Sequence, residues 1–186
     1  MKNILIIGGA RSGKSRFAQE FALKSGKPVL FVATAEAGDD EMRQRIEEHQ
    51  RTRPPTWSTL EVTTQVGKEI LNKTGGAEVV IVDCITLLVN NIFSRYTDPT
   101  GELLNTSHIE QEISDEINEL VESLSRFDTS LIITNEVGMD LVPANKMGRV
   151  YRDALGKANQ FLAEKCDEVF LMVAGLPMRI KPAGHS

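Results

Sequence analysis

The chain has 186 residues, 41% of them hydrophobic and 25% charged, with a net charge of −5; this suits one compact soluble domain, 1–186, with a core of its own. The acidic balance excludes a broad nucleic-acid footprint and leaves any phosphate binding to local donors. Two cysteines make no disulfide framework, and the apolar run Ile4–Ile7 is too short for a signal core or a membrane span, so the cytoplasm is the expected location.

Lys2–Ile7 reads as a buried Ile-rich strand, stopped by Gly8-Gly9. A helix over Ser15–Lys24 follows, with Phe17, Phe21 and Leu23 among its apolar positions, and Ser25-Gly26 ends it. Pro28–Ala33 is the second strand. Asp39–Arg51 is a helix: Asp39, Asp40 and Glu41 suit the positive end of its dipole, and Met42 and Ile46 mark a buried stripe. Pro54 stops it at Arg53. Trp57–Val62 reads as a strand, with Trp57 anchoring the turn after Pro54-Pro55, and Thr64–Asn72 as a helix. Glu78–Asp83 is a strongly apolar strand, Ile85–Phe93 an apolar helix and Tyr96–Thr106 a loop. Ser107 and Glu110 have capping-box spacing, and Ile109, Ile113, Ile117, Leu120 and Leu124 give the next helix its core face. Leu131–Thr134, Glu168–Val173 and Arg179–Lys181 are further strands, and Lys146–Lys165 is a helix. Met139, Met147, Met172 and Met178 read as apolar filler. Alternating strands and helices call for a mostly parallel sheet with helices on both faces.

Gly8-Gly9-Ala10-Arg11-Ser12-Gly13-Lys14-Ser15 matches G-x-x-x-x-G-K-[ST] in full, between a strand and a helix. Glycines let backbone N–H groups approach phosphate oxygens, and the helix start adds unpaired donors and partial positive charge. Lys14 supplies a point charge for the outer phosphates, and Ser15 a hydroxyl for Mg²⁺. Asp83 closes an apolar strand, where a carboxylate reaches Mg²⁺ or its water; alone it is equally an acid that happens to end a strand. The expected fold is α/β, of the P-loop NTPase, RecA-like type, with ATP or GTP as substrate.

Four segments together resemble one family. They are GGARSGKS, ATAEAGDDEMRQRIEEHQRTRP, VDCITLLVNN and TNEVGMDLVPANKMGRVYRDALGKANQ, and the likeness runs from about residue 3 to 181. The family is the bifunctional adenosylcobinamide kinase/adenosylcobinamide-phosphate guanylyltransferase of cobalamin biosynthesis. The resemblance implies two reactions. ATP or GTP phosphorylates adenosylcobinamide, then GTP transfers GMP to that phosphate, releasing pyrophosphate, through a guanylyl-histidine matching His49. It further implies nucleotide contacts at Ala33, Thr34 and Ala35, at Gln50, Arg51, Thr52 and Arg53, and at Glu61, together with Mg²⁺ on Ser15 and Asp83. It implies a homo-oligomer, a trimer, too. Some members carry two adjacent histidines where this chain has Glu48-His49, and some carry Glu at the position of Asp83.

Read from chemistry, Arg45 and His49 share one helix face at i, i+4, and a neighbouring cation favours the neutral imidazole that has a lone pair to attack phosphorus. Glu47 and Glu48 oppose that effect. Without the resemblance His49 is a solvated residue on a charged helix. Glu136, at another strand end, is a candidate for the kinase step. Arg149 and Arg152 read as phosphate or corrinoid contacts or, more simply, as solvated helix charge. Cys84 reads as packing, not as a nucleophile. Two other functions fit the phosphate loop alone: a plain small-molecule kinase, which needs no His49, and a nucleotide-sensing module without turnover.

Overall fold

In the computed structural model, residues 1–36, 38, 40–98, 105–139 and 141–182 are described, with every side chain except those of residues 41, 42, 45, 49 and 52. The Ile- and Val-rich runs become strands β1 (Lys2–Gly8), β2 (Val29–Ala33), β3 (Ser58–Glu61), β4 (Val79–Asp83), β5 (Thr129–Asn135), β6 (Glu168–Val173) and β7 (Leu176–Lys181). The amphipathic stretches become α1 (Lys14–Ser25), α2 (Asp40–Thr52), α3 (Val66–Asn72), α4 (Ile85–Arg95), α5 (Thr106–Leu124) and α6 (Lys146–Lys165). One sheet holds all seven strands in the order β3-β2-β4-β5-β1-β6-β7. Every neighbouring pair is parallel except β6 with β7. β5 lies between β1, which feeds the phosphate loop, and β4, which ends in Asp83. This is an α/β fold built on a mostly parallel sheet, with the phosphate loop at the C-terminal end of β1.

Strand residues alternate between two cores because successive side chains point to opposite faces. Leu5, Leu30, Val32, Val80, Val82 and Ile132 pack with the buried stripes of α3, α4, α5 and α6. Ile4, Ile6, Phe31, Ile81, Leu131 and Ile133 pack with Ala18 and Ala22 of α1. The small face of α1 lies flat on the sheet; Phe17 and Phe21 are only half-buried, and Leu23 is exposed. All strand C-termini except that of β7 reach one edge, where ligands of such sheets bind.

Some local expectations change. α5 begins at Thr106, so its cap is Asn105, whose side chain accepts the His108 N–H at 3.2 Å; Ser107 and Glu110 sit inside the first turns instead of forming a capping box. Of the four methionines expected as filler, Met172 is buried, while Met139, Met147 and Met178 are exposed. The expected loop over Tyr96–Thr106 falls partly on residues 99–104, outside the described residues, as does part of the Asp39 helix start.

α3 is held by a buried acid on another helix. The Glu116 carboxylate accepts the N–H groups of Gln65 and Val66 at 2.8 and 2.7 Å, which answers two donors that the helix itself leaves unpaired. Gly67 lets α3 approach α5 closely, since a Cβ there would meet the Glu119 backbone at 2.5 Å. Replacing Glu116 by alanine strands those donors away from water. We expect Glu116→Ala to lose about 2–4 kcal/mol of stability in urea unfolding, with the native fold retained by circular dichroism.

Candidate functional site

The loop between β1 and α1 is fixed from three sides. The Gly8 carbonyl accepts the Glu136 N–H at 3.0 Å, the Ser12 carbonyl accepts the Gly175 N–H at 2.9 Å, and Ser12 N–H reaches the Gly9 carbonyl at 3.3 Å. Two of its positions admit only glycine. At Gly8 a Cβ would strike the Met172 carbonyl at 2.5 Å, and Gly13 has φ +94° with Gly175 against it. Arg11 also adopts a positive φ, of 56°. Gly13 offers no side chain to cap α1, and no acid stands in the first turn. A helix start without a side-chain cap or an acid presents an anion site. The ammonium of Lys14, itself buried, donates to the Gly8 and Gly9 carbonyls at 3.0 and 2.7 Å.

A cavity of about 1160 Å³ opens over this loop. Residues 10–16 line its floor; Ala33, Ala35 and Glu36 after β2, Glu61 at the end of β3, and Asp83 at the end of β4 line one side. Gln44, Ile46 and Glu48 of α2 and the following Arg53 form a wall. Five buried polar side-chain atoms among the described residues have no hydrogen-bond partner, and three of them, Ser12 Oγ, Asp83 Oδ2 and Arg53 Nε, belong to residues bordering this cavity. Native interiors seldom strand such groups, so they mark a place built to meet a polar ligand.

The expected residues are brought together with clear differences among them. Gly8 through Ser15, Ala33, Ala35, Arg53, Glu61 and Asp83 lie on or beside the cavity. Thr34 does not face it. It is fully buried, and its hydroxyl donates to the Cys84 carbonyl at 2.7 Å and accepts the Cys84 N–H at 2.8 Å. It fastens the end of β2 to the start of α4. Gln50 donates to Glu61 at 2.6 Å and clasps α2 to β3, while Arg51 is exposed beside Glu47 at 3.5 Å. Arg53 lays its guanidinium 4.1 Å above the Phe31 ring; burial pushes its pKa down, and Glu61 and Asp83 pull it back. His49 lies in α2, but its side chain, with those of Arg45 and Thr52, falls outside the described residues.

α2 departs from its expected packing. None of its described side chains is buried, and Ile46, expected on a core stripe, is half-buried against the cavity. Sequence reasoning also passed over Asn91, whose amide donates to the Thr34 and Thr63 carbonyls at 2.8 and 3.0 Å and so joins two cavity edges. A polar residue in the apolar run of α4 was the available signal. Glu136 keeps its carboxylate on the Gly138 N–H, and Arg149 binds the Pro143 and Ala144 carbonyls. Trp57 stacks on Phe31 with ring centres 6.5 Å apart, as an anchor.

Residues 4–180 match the family model described as cobinamide kinase / cobinamide phosphate guanyltransferase. The chain is 39% identical over 180 residues to the bifunctional adenosylcobalamin biosynthesis protein CobU of Escherichia coli, covering 96% of this chain and 99% of that protein. It is 39% identical to the corresponding CobP of Pseudomonas aeruginosa, over 95% of this chain and 96% of the other. A crystal structure of the RadB recombinase superposes with a TM-score of 0.49 at 16% identity, over 91% of this chain and 73% of that one.

The cysteines carry a pH signature. Burial pushes the thiols of Cys84 and Cys166 up to about 12, from an ordinary 9.0. Both stay protonated in the fold and lose protons only when it opens, so their contribution to stability is whole below pH 9 and fades above it. We expect urea stability to fall between pH 9 and 11, and the Cys84→Ala/Cys166→Ala variant to fall less steeply, by up to about 2.7 kcal/mol per pH unit. Iodoacetamide at pH 8 should label neither thiol until denaturant is added.

Proposed function

We propose, from the premise that this chain belongs to the cobinamide kinase / cobinamide phosphate guanyltransferase family, that it carries out both reactions on one corrinoid. ATP or GTP phosphorylates adenosylcobinamide, and GMP then passes from GTP through His49 to that phosphate, giving adenosylcobinamide-GDP and pyrophosphate. The observation that carries this reading is the uncapped start of α1 sharing one cavity with an Asp83 oxygen that has no partner, with α2 as one wall. The whole chain, 1–186, acts as one nucleotide-binding domain in the cytoplasm, as a trimer. No described helix is long and apolar enough to cross a membrane.

For the kinase step, the N–H groups of residues 9–15 hold the β- and γ-phosphates, and Lys14 turns from the Gly8 and Gly9 carbonyls to the transferring group. Ser15 and Asp83 fit Mg²⁺: one Asp83 oxygen is buried without a partner, and among the described residues no cluster of three or more His, Cys, Asp or Glu offers a protein-only cage. That pattern suits a cation that keeps its waters and shares phosphate oxygens. Bound there, Mg²⁺ neutralises phosphate charge.

For guanylyl transfer, α2 brings the His49 imidazole to the α-phosphorus. A nitrogen–phosphorus bond forms as the bond to pyrophosphate breaks, and a phosphate oxygen of the corrinoid then displaces the imidazole. Arg53, poised on Phe31 with a free Nε, is placed to meet developing phosphate charge. Gln50 of α2 donates to Glu61 in an exposed hydrogen bond, a tie weak enough to break during each cycle.

GTP labelled at the α-phosphate separates this reading from a plain kinase or a sensing module. Wild type should retain acid-labile label on protein and form adenosylcobinamide-GDP. His49→Ala should retain no label, should lose guanylylated product by at least 10³-fold, and should still make adenosylcobinamide phosphate. Wild-type protein that never takes up label would remove the second activity. Lys14→Ala should depress both reactions by at least 10²-fold, measured as kcat/KM.

A further inference from the structure

Four apolar side chains are exposed where the chain passes from β5 into α6. Met139 is 82% exposed, Leu141 88%, Val142 65% and Met147 38%. Their display is built into the backbone. Arg149 binds the Pro143 and Ala144 carbonyls at 3.0 and 2.7 Å, and the Asn145 side chain caps α6 by accepting the Gly148 N–H at 2.6 Å. Gly148 is the position where a Cβ would run into Pro143 at 2.8 Å. These ties fix the chain where it enters α6, and the aliphatic groups beside it lie outside the core. Apolar patches kept on a surface in this way mark contact sites.

Position says what the contact is. Gly8 pairs with Asn135 in the sheet, and the next residue, Glu136, donates its N–H to the Gly8 carbonyl at 3.0 Å. Met139 follows three residues later, within about 10 Å of chain. The patch is thus a lip on the phosphate loop, joined to it by backbone.

We propose that this lip seats the corrin macrocycle of the acceptor substrate; the inference rests on the function proposed above. A corrin ring is broad and flat, with methyl groups on its faces and rim, and the hydroxyl that takes the phosphoryl group hangs from one of its amide arms. The ring must therefore rest an arm's length from the phosphate loop while the hydroxyl reaches in. Flexible methionines and branched aliphatics suit an irregular, methyl-studded surface. Four side chains offer on the order of a few hundred Å² of apolar area, enough for one face of a ring but well short of the roughly 800 Å² per partner of a stable protein interface.

The test uses the triple variant Met139→Ser/Leu141→Ser/Val142→Ser in the full chain. Adenosylcobinamide binding is read directly by equilibrium dialysis and its visible absorbance, beside steady-state kinetics with GTP and sedimentation velocity. We expect corrinoid affinity to fall about tenfold or more, and the corrinoid KM to rise in step, with less than a twofold change in the KM for GTP. Corrinoid affinity within twofold of wild type overturns the seat; a changed sedimentation coefficient in that case assigns the patch to contacts between copies of the chain. Wild type that binds the corrinoid through these residues without phosphorylating it refutes the kinase reading and leaves the seat standing. Wild type that binds no corrinoid refutes both.

Discussion

The start of α1 carries no side-chain cap at Gly13 and no acid in its first turn, and the surrounding structure holds the loop before it in place. The backbone donors that open a helix are costly to bury unless a cap, water or a ligand answers them. The loop that aims them is pinned by strands on either side: Glu136, after β5, holds the Gly8 carbonyl, and Gly175, between β6 and β7, holds the Ser12 carbonyl. β1 sits between β5 and β6, so the loop inherits the rigidity of the sheet centre. The close approach of Met172 to Gly8 shows how little slack remains. A site prepared this way spends little on reorganisation when a polyphosphate arrives.

α2 is the counterpart of that rigid centre. Its described side chains include no buried residue; among the described residues Gln50 bonds Glu61, and Arg53, just past its end, lies on Phe31. Elements with few buried apolar contacts open locally at low cost. On the proposed reading α2 carries the nucleophile, and such attachment suits a helix that must approach one phosphorus atom in one step and withdraw in another. Packing Ile46 into the cavity wall instead of the core keeps the helix near the nucleotide without locking it there.

Much of this was legible in the chain. The runs ending in Gly8, Ala33, Asp83 and Val173 became strands because unbroken Ile, Val and Leu sequences have no other place than a sheet buried on both faces. The phosphate loop was readable because its chemistry is local: glycine torsions, a lysine and a helix start lie within eight consecutive residues. What depended on distant partners was not. Thr34 follows a strand as a ligand contact would, but only its pairing with Cys84, fifty residues on, shows that its hydroxyl is used internally. Spacing in α2 and at Met139 and Met147 revealed apolar positions without saying whether core, cavity or water lies opposite them. Asn105 took the cap from Ser107 because the helix began two residues earlier than the spacing of Ser107 and Glu110 implied.

On the proposed reading, two acceptors attack successive triphosphates bound at one loop, which raises a problem of access. A nucleophile at the α-phosphorus and an alcohol at the γ-phosphorus cannot share one approach, since the atoms they attack are separated along the polyphosphate chain and the leaving groups depart in opposite directions. The sheet offers two flanks at the loop. The β2, β3 and β4 ends carry the wall made by α2, and the β5 end carries the exposed connection to α6. On the proposed reading the histidine works from the first flank and the corrinoid from the second, so neither has to vacate the place of the other. The corrinoid phosphate made in the first reaction then needs only to pivot about its seated ring to reach the guanylylated imidazole, which is a smaller displacement than release and rebinding. Keeping the large substrate fixed and moving a loosely held helix is the arrangement that this distribution of rigidity favours.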